Sequence, residues 1–345
     1  MNKKDISPYS LNSQKKSILF KREIKKLTNY HFSKSIEYRK ILKGLKYNFN
    51  NKKIENLPFL TTNLFKDVEL LSIPQNKVFK ILSSSGTSGK KRSKIYLDKE
   101  NSTSQRNVLT RIFEHHFGNE RLPMLMATKN PRSAGVNFDA KYAAILGFSI
   151  FGTNHTFLYD EKNNFDLKKF DEFIQKYSSK KFIVFGFTFD IFQIFFEKLK
   201  KKMDLKNCIL IHGGGWKKLE AKKISDKKFN NKFLQNFNIK KIYNYYGLIE
   251  QIGSIYFKCP ECNNFVCSDY SDVLIRDKNF KLVKRGKGLL QLISLLPKSY
   301  PGHNILTEDI GEIITTNNCK NNHLGKSFKI YGRVEDSEIR GCSDV

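Results

Sequence analysis

No stretch of this sequence is both long enough and apolar enough to cross a membrane. The longest Phe-rich run, Phe182 to Phe196, falls short of the ~20 residues a span needs and contains Gly186 and Asp190. No transmembrane segment is expected. The first thirty residues set lysines around short apolar pieces such as Ile18-Leu19-Phe20 and lack the continuous apolar centre of a secretory signal, which predicts a cytoplasmic protein. Cysteine is scarce. Six in 345 residues, three of them clustered, do not make the dense even framework of a small secreted domain, so free thiols or a metal site are expected. Acidic residues are also few: 33 Asp and Glu stand against 62 Lys and Arg, a net charge of +29 that would attract nucleic acid, anionic lipid or an acidic partner. Those lysines are spread along the whole chain with no basic block interleaved with aromatics, so compositional bias explains them at least as well as a binding face. No specific nucleic-acid partner is expected. There is no internal repeat and no long Pro/Gly linker, and the one break in composition lies around Asn317 to Lys326.

What is present is core-forming material. Hydrophobic residues make up 39% and aromatics 13%, far above a disordered chain of this size. At roughly 150 residues per domain, the length allows about two domains or one large body with an appendage. Residues 1 to 75 are charged and helical in pattern, with Phe20, Ile24, Leu27 and then Tyr38, Ile41, Leu45 at three- and four-residue steps. From Val78 the texture changes to short apolar runs bounded by Gly, Ser and Asn, such as Val78 to Leu82, Ile209 to Ile211 and Leu289 to Leu296. Those predict buried strands. Ser104 to His116 and Phe189 to Lys202 predict helices between them, so the fold class is α/β: mixed sheets flanked by helices.

Five segments carry polar chemistry. The first is Ser83-Ser84-Ser85-Gly86-Thr87-Ser88-Gly89-Lys90-Lys91, between the strand ending at Leu82 and another around Ile95 to Leu97. Its glycines admit an anion to the backbone amides, its hydroxyls add donors and Lys90 or Lys91 adds charge, together a phosphate cradle. It is not the usual P-loop, which has four residues between its glycines and opens a helix. Taken alone, such a loop is more often a hairpin turn. The second, Asn244-Tyr245-Tyr246-Gly247-Leu248-Ile249-Glu250, follows a strand at Ile239 to Tyr243 and offers a carboxylate for Mg²⁺ and a ring for a purine; in isolation it is an ordinary strand connection. The third, Ile211-His212-Gly213-Gly214-Gly215-Trp216, leaves bare backbone for a flat ring or an acyl chain, or is a flexible loop in which His212 is structural. Leu306-Thr307-Glu308-Asp309 and Tyr331-Gly332-Arg333-Val334-Glu335 complete the set, with Asp309 able to accept from ribose hydroxyls and Arg333 to bridge ribose and phosphate. Each means little by itself.

Their order along the chain resembles the adenylate-forming enzymes, which include acyl-CoA ligases and peptide-synthetase adenylation domains. Ser84 to Lys94, Tyr300-Pro301-Gly302-His303 through Gly311, and Glu338-Ile339-Arg340-Gly341-Cys342-Ser343 are similar to the LuxE-type acyl-protein synthetases. The resemblance covers about residues 75 to 345. It implies an adenylate-forming core over 76–332, behind a helical layer at 1–75 and ahead of a hinge and vestigial cysteine-bearing tail at 333–345. It implies activation of a fatty or other carboxylic acid with ATP and Mg²⁺ to an acyl-adenylate, then transfer to a cysteine of the enzyme, with a protein partner giving or receiving the acyl group. Carried over by motif, Ser84, Ser85, Gly86, Thr87, Ser88, Gly89 and Lys90 grip the β/γ-phosphates and Glu250 holds Mg²⁺. Asp309 takes the ribose and Arg333 the ribose and phosphate, while Gly213, Gly214, Gly215, Tyr245, Tyr246 and Gly247 border adenine and the carboxylate channel. Cys342 is the acyl acceptor; without the resemblance it reads as a plain tail cysteine.

Three features depart from the pattern. Ile249 stands where many of these enzymes carry Thr or Ser before the glutamate. Twelve residues follow Arg333, too few for the usual C-terminal subdomain and its catalytic lysine, so an upstream lysine or a partner would have to serve. The acyl chain length cannot be read, because Phe is abundant throughout. Separately, Cys259-Pro260-Glu261-Cys262 with Cys267 forms a knuckle of the kind that holds a structural Zn²⁺, a fourth ligand coming from Cys319, His323, His303 or His212; reduced thiols are the alternative. Two rival functions stay open: an acyl- or aryl-CoA ligase of the phenylacetate type, and a non-catalytic basic module binding nucleic acid or a membrane surface.

Overall fold

The computed structural model describes residues 8–51, 53–84, 91–131, 140–216, 222–315 and 323–334. They fall into two compact units: one takes the chain through His116 and again from Gly247, the other Phe117–Tyr246.

The first unit opens with two helices, α1 (Ser13–Lys34) and α2 (Ile36–Gly44). Asn12 caps α1 by accepting from the Lys15 N–H at 2.9 Å, and Ser35 both ends α1 and caps α2 by accepting from Tyr38. The expected stripe is present in α1, where Leu19, Phe20, Ile24, Leu27, Thr28 and His31 are buried at three- and four-residue steps. In α2 the buried face is Tyr38 and Leu42. Leu45, expected on that face, is 63% exposed because it lies just past the helix end, where the periodicity no longer applies. Next come β1 (Leu60–Thr61), α3 (Leu64–Asp67), the antiparallel hairpin of β2 (Lys80–Ser83) and β3 (Lys94–Leu97), and α4 (Lys99–Phe117).

The second unit is a parallel sheet interleaved with helices: β4 (Leu122–Lys129), α5 (Ala140–Ser149), β5 (Gly152–Tyr159), α6 (Leu167–Tyr177), β6 (Phe182–Phe187), α7 (Thr188–Phe192), β7 (Cys208–Gly213), α8 (Asp226–Phe237) and β8 (Lys241–Gly247). The strands lie in the order β5-β4-β6-β7-β8. Every residue of β6 and β7 is buried, which is why their sequences are unbroken apolar runs rather than alternating ones. The helix expected over Phe189 to Lys202 divides into α7 and a wider π turn, Gln193–Lys198, that seats Phe195 in an aromatic core with Phe170, Phe233 and Phe237. Asn238 ends α8 in the left-handed region at φ 53°.

From Gly247 the chain rejoins the first unit and adds β9 (Ile255–Phe257), β10 (Phe265–Val266), β11 (Ser271–Arg276), β12 (Gly288–Ser294), β13 (Asn304–Thr315) and β14 (Ser327–Arg333). The sheet runs β10-β14-β13-β12-β11, antiparallel throughout, and β1 joins β13 in parallel. The N-terminal helices are tied to it by polar bonds. Lys16 Nζ donates to the Ser268 carbonyl at 2.7 Å, the Asp269 carboxylate accepts from the backbone of Ser10 and Leu11, and Thr28 Oγ1 meets His303 Nε2 at 3.0 Å. Mixed sheets flanked by helices are what the sequence predicts, and no helix among the described residues is long and apolar enough to cross a membrane.

Candidate active site

Glu250 lies on a single 3₁₀ turn, Ile249–Gln251, a few residues past the end of β8. It is 5% exposed. Its surroundings are polar: Ser93 makes a side-chain hydrogen bond to the carboxylate, and Lys66 and Arg333 act on it electrostatically. Burial is the largest influence and pushes the carboxyl above its ordinary range, while its own backbone N–H, Ser93 and the two cations pull the other way.

The turn is held by its neighbours. Gln251 Nε2 donates to the carbonyls of Leu292 on β12 and Gly302, at 3.0 and 2.9 Å. Gly302 belongs to the Tyr300-Pro301-Gly302-His303 turn, and a Cβ there would sit 2.5 Å from the Glu250 carbonyl oxygen and 2.3 Å from the Tyr300 ring. Only glycine fits. His303 anchors the other side of this turn, stacking on His31 of α1 with centroids 4.9 Å apart.

Ser93 links this turn to the Ser/Gly/Lys segment. Its N–H donates to Ser84 Oγ at 2.9 Å and its carbonyl accepts from the Ser84 N–H at 3.0 Å, closing the base of the hairpin. Ser85, Gly86, Thr87, Ser88, Gly89 and Lys90 lie outside the described residues, as does Cys342. Lys91, at the described edge of the loop, pairs with Asp67 on α3 at 3.4 Å.

Asp309 and Arg333 are register partners on β13 and β14, and Arg333 Nε donates to Asp309 Oδ1 at 3.3 Å. The Thr two residues earlier explains the T-x-D spacing: Thr307 Oγ1 donates to the Leu290 carbonyl at 2.8 Å and accepts from the Asp309 N–H at 3.1 Å, locking the strand that presents the carboxylate. The structure thus brings Ser84, Glu250, Asp309 and Arg333 into one unit with a shared polar neighbourhood. Gly247 leads into it at the end of β8.

The remaining residues predicted to border the nucleotide belong to the second unit. Gly213 and Tyr245 are register partners on β7 and β8, and a Cβ on Gly213 would lie 2.6 Å from the Tyr245 ring, so the missing side chain is what lets the ring lie flat there. Tyr245 also packs on Phe148 and Phe185, at 4.6 and 6.1 Å between centroids. Gly214 turns the chain at φ 75°, Gly215 faces open space, and Tyr246 is half-buried. His212 is structural: its Nδ1 meets Thr188 Oγ1 at 2.9 Å and its ring packs on Phe229.

The zinc expectation finds no support. Cys259 and Cys267 are buried and Cys262 half-buried, Tyr9 packs with Cys259 and Cys262, and burial pushes the Cys267 thiol up to about 12. Among the described residues no three His, Cys, Asp or Glu side chains are grouped to hold a metal ion; Cys319 lies outside them. Cys259, Cys262 and Cys267 are not grouped as the ion requires.

Motif reading missed Lys66, Asn63, Ser93 and Gln251. Ser93 carried a signal, a hydroxyl between the loop and β3, whereas Lys66 and Asn63 are brought to the site by the pairing of β1 with β13.

Comparison with known proteins gives the family and the fold. A family model described as acyl-protein synthetase, LuxE, matches residues 4–345. A long-chain-fatty-acid–luciferin-component ligase of Vibrio harveyi is 24% identical over 349 residues, covering 97% of this chain and 88% of its own. Among solved structures, 2-hydroxyisobutyryl-CoA ligase in an open conformation superposes with a TM-score of 0.73 at 12% identity, over 95% of this chain and 72% of that one. The amide bond synthetase McbA of Marinactinospora thermotolerans gives 0.51 at 14% identity, over 76% and 50%. At those identities the structural likeness shows the fold, that of the adenylate-forming enzymes. With the family model spanning nearly the whole sequence, the chain belongs to the LuxE acyl-protein synthetase family.

Proposed function

We propose that this protein activates a fatty acid with ATP and passes the acyl group to the thiol of Cys342. The observation that carries the reading is the buried Glu250 carboxylate, placed with Ser93, Lys66 and Arg333 beside the Asp309–Arg333 pair. One buried carboxylate next to a region rich in phosphate-binding donors is the donor set Mg²⁺ takes, since that ion is held by one or two carboxylates together with substrate phosphates. Glu250 would hold it, and when bound it neutralises charge on the triphosphate.

In the first step a carboxylate oxygen of the acid attacks the α-phosphorus. The bond to the bridging oxygen breaks, and its electron pair leaves with pyrophosphate. Asp309 positions the ribose, and Arg333, held by Asp309 at 3.3 Å, is aimed by that contact at ribose and phosphate. The hydroxyls of Ser84 to Ser88 and the ammonium of Lys90 would stabilise the charge that moves onto pyrophosphate. In the second step the Cys342 thiolate, its proton released to solvent, attacks the acyl carbonyl carbon and AMP departs with the electrons of the broken carbon–oxygen bond. A protein partner would then take the acyl group from the Cys342 thioester.

The test is incubation with ATP and a labelled fatty acid, followed by a search for hydroxylamine-sensitive label on the protein. Label retained in Cys342→Ser removes the self-acylation step. Label absent from protein but present in a coenzyme A thioester, when coenzyme A is supplied, selects the CoA-ligase rival. Acid-dependent exchange between pyrophosphate and ATP, lost in Glu250→Ala, excludes a non-catalytic binding module.

A further inference from the structure

The Glu250 carboxylate accepts hydrogen bonds from its own backbone N–H and from the hydroxyl of Ser93, while Lys66 and Arg333 act on it through charge. Ser93 reaches it from the β2–β3 hairpin. The ladder there pairs Ser83 with Lys94, and one step further Ser84 and Ser93 exchange bonds of their own. The Ser84 N–H donates to the Ser93 carbonyl at 3.0 Å and the Ser93 N–H to Ser84 Oγ at 2.9 Å. Because side chains alternate along an extended strand, Lys94 faces solvent and Ser93 faces inward, where it is 1% exposed. One residue thus closes the base of the Ser/Gly/Lys loop with its backbone and holds the acidic turn after β8 with its side chain.

We infer that Ser93 is a positioning residue: it fixes the Glu250 carboxylate in the orientation that receives Mg²⁺ and ties it to Ser84, the first residue of the loop that grips the β/γ-phosphates. The inference rests on the ATP reading given above and adds to it the part that holds metal ligand and phosphate loop at a constant spacing. The argument is one of lost freedom. A carboxylate on a three-residue turn rotates about its own side-chain bonds, and fixing it at the moment of binding costs affinity. Donors that reach it from its own backbone and from a second strand remove that freedom before the ion arrives. They take two of the roughly four lone-pair positions of the group and leave the others open to a cation. The Ser93 hydroxyl is itself well anchored, since both backbone groups of that residue are bonded to Ser84. The same hydroxyl opposes the burial that favours the neutral acid.

The experiment uses the full chain and calorimetry of ATP binding, with Mg²⁺ present and with Mg²⁺ removed by a chelator; the readout is the gain in ATP affinity that the ion confers. Ser93→Ala removes the hydroxyl and keeps both backbone bonds to Ser84. It is expected to cut the gain about tenfold, the scale of a hydrogen bond to a charged group, and to leave binding without the ion within twofold of the parent. Ser93→Cys, close in shape and a weak donor, serves if the alanine variant does not fold, and its gain should fall between those of parent and alanine. In a Glu250→Gln background, where the gain is already lost, Ser93→Ala should remove nothing more. A gain within twofold of the parent in Ser93→Ala, or a parental gain in Ser93→Cys where the alanine variant does not fold, overturns the inference while the ATP reading stands. So does a loss of equal size without Mg²⁺ or in the Glu250→Gln background, which marks a structural support. A parent whose ATP affinity does not respond to Mg²⁺ ends the role of Glu250 as its ligand and the inference with it. If that parent also shows no acid-dependent exchange between pyrophosphate and ATP, the adenylation reading ends as well.

Discussion

The two units differ in how much polar material they bury beside their apolar cores. The second buries apolar mass: β6 and β7 are covered along their whole length, and Phe170, Phe195, Phe233 and Phe237 interlock at centroid distances such as 4.9 Å between Phe195 and Phe237. The first also buries many polar groups and ties several of them down, through Gln251 to two carbonyls, Thr307 to Leu290 and Asp309, and Ser93 to Ser84. Apolar packing is tolerant of exchange and supplies stability, whereas a hydrogen-bonded polar network fixes atoms in place and is costly when broken. The difference teaches that disruption of the second unit should be read in unfolding and disruption of the first in chemistry.

The comparison can be broken most forcefully at Phe233, which is fully buried and touches Phe195, Phe196, Phe229 and Phe237. Phe233→Ala should lower stability by about 3–5 kcal/mol, the range for truncating a core phenylalanine, as read by denaturant unfolding. Exchange between pyrophosphate and ATP at low temperature should persist. A Phe233→Ala protein that is fully stable would show that the aromatic core is not what holds this unit.

The converse test is Glu250→Ala, which should reduce exchange about 10²–10³-fold. Glu250→Gln separates chemistry from stability through pH. Because burial raises its folded-state pKa, Glu250 stabilises the fold fully below its ordinary value of 4.5, and that stability is lost as pH climbs through the raised value. The parent should therefore lose unfolding midpoint relative to Glu250→Gln as pH rises from 4.5 toward neutral. Parallel pH profiles for the two proteins would refute the burial argument.

Much of this arrangement was legible from residue order. Strands buried on both faces announce themselves as apolar runs, so β7 and β12 fell close to the expected Ile209 to Ile211 and Leu289 to Leu296. Asp309 and Arg333 were each assigned to the ribose by motif, and the register of β13 with β14 supplies the physical reason they meet. Lys66 and Gln251 could not be seen. Lys66 reaches Glu250 because a two-residue strand pairs with β13 some 245 residues away, a non-local contact without a compositional trace. Gln251 gains its role from two backbone carbonyls, and any buried residue beside a motif looks the same in sequence. The π turn after α7 was equally hidden, since apolar spacing does not distinguish it from the end of an α-helix.

A smaller effect is expected at Gly302, where the Glu250 carbonyl and the Tyr300 ring leave no room for a methyl group. Gly302→Ala should destabilise by about 1–3 kcal/mol through overpacking. If the turn positions Glu250, exchange should fall further than the loss of folded protein explains, with the KM for ATP and the Mg²⁺ requirement both raised. A loss that tracks folded fraction alone would reduce the turn to a structural support.

The finest test of polar burial in the first unit is the stacked pair His31 and His303, which joins α1 to the turn beside Glu250. His31 Nδ1 meets Ser72 Oγ at 2.7 Å, its Nε2 meets the Pro297 carbonyl at 3.3 Å, and His303 Nε2 meets Thr28 Oγ1 at 3.0 Å. Burial pushes His303 down to about 3, and burial first, then the neighbouring His303, lowers His31 well below its usual value. Both rings are thus neutral in the fold, and the unfolded chain binds the extra protons. Their contribution to stability is intact above about 6.5, their ordinary pKa, and drains away as pH falls from there toward the folded values. One pH unit below 6.5 the loss is on the order of 1 kcal/mol for each ring. His303→Gln keeps a hydrogen-bonding side chain that cannot take up the proton, so its unfolding midpoint should decline less between pH 7 and 5 than that of the parent. Equal declines would mean that the N-terminal helices stay docked without the neutral pair, and that the polar ties of this unit are less exacting than its geometry implies.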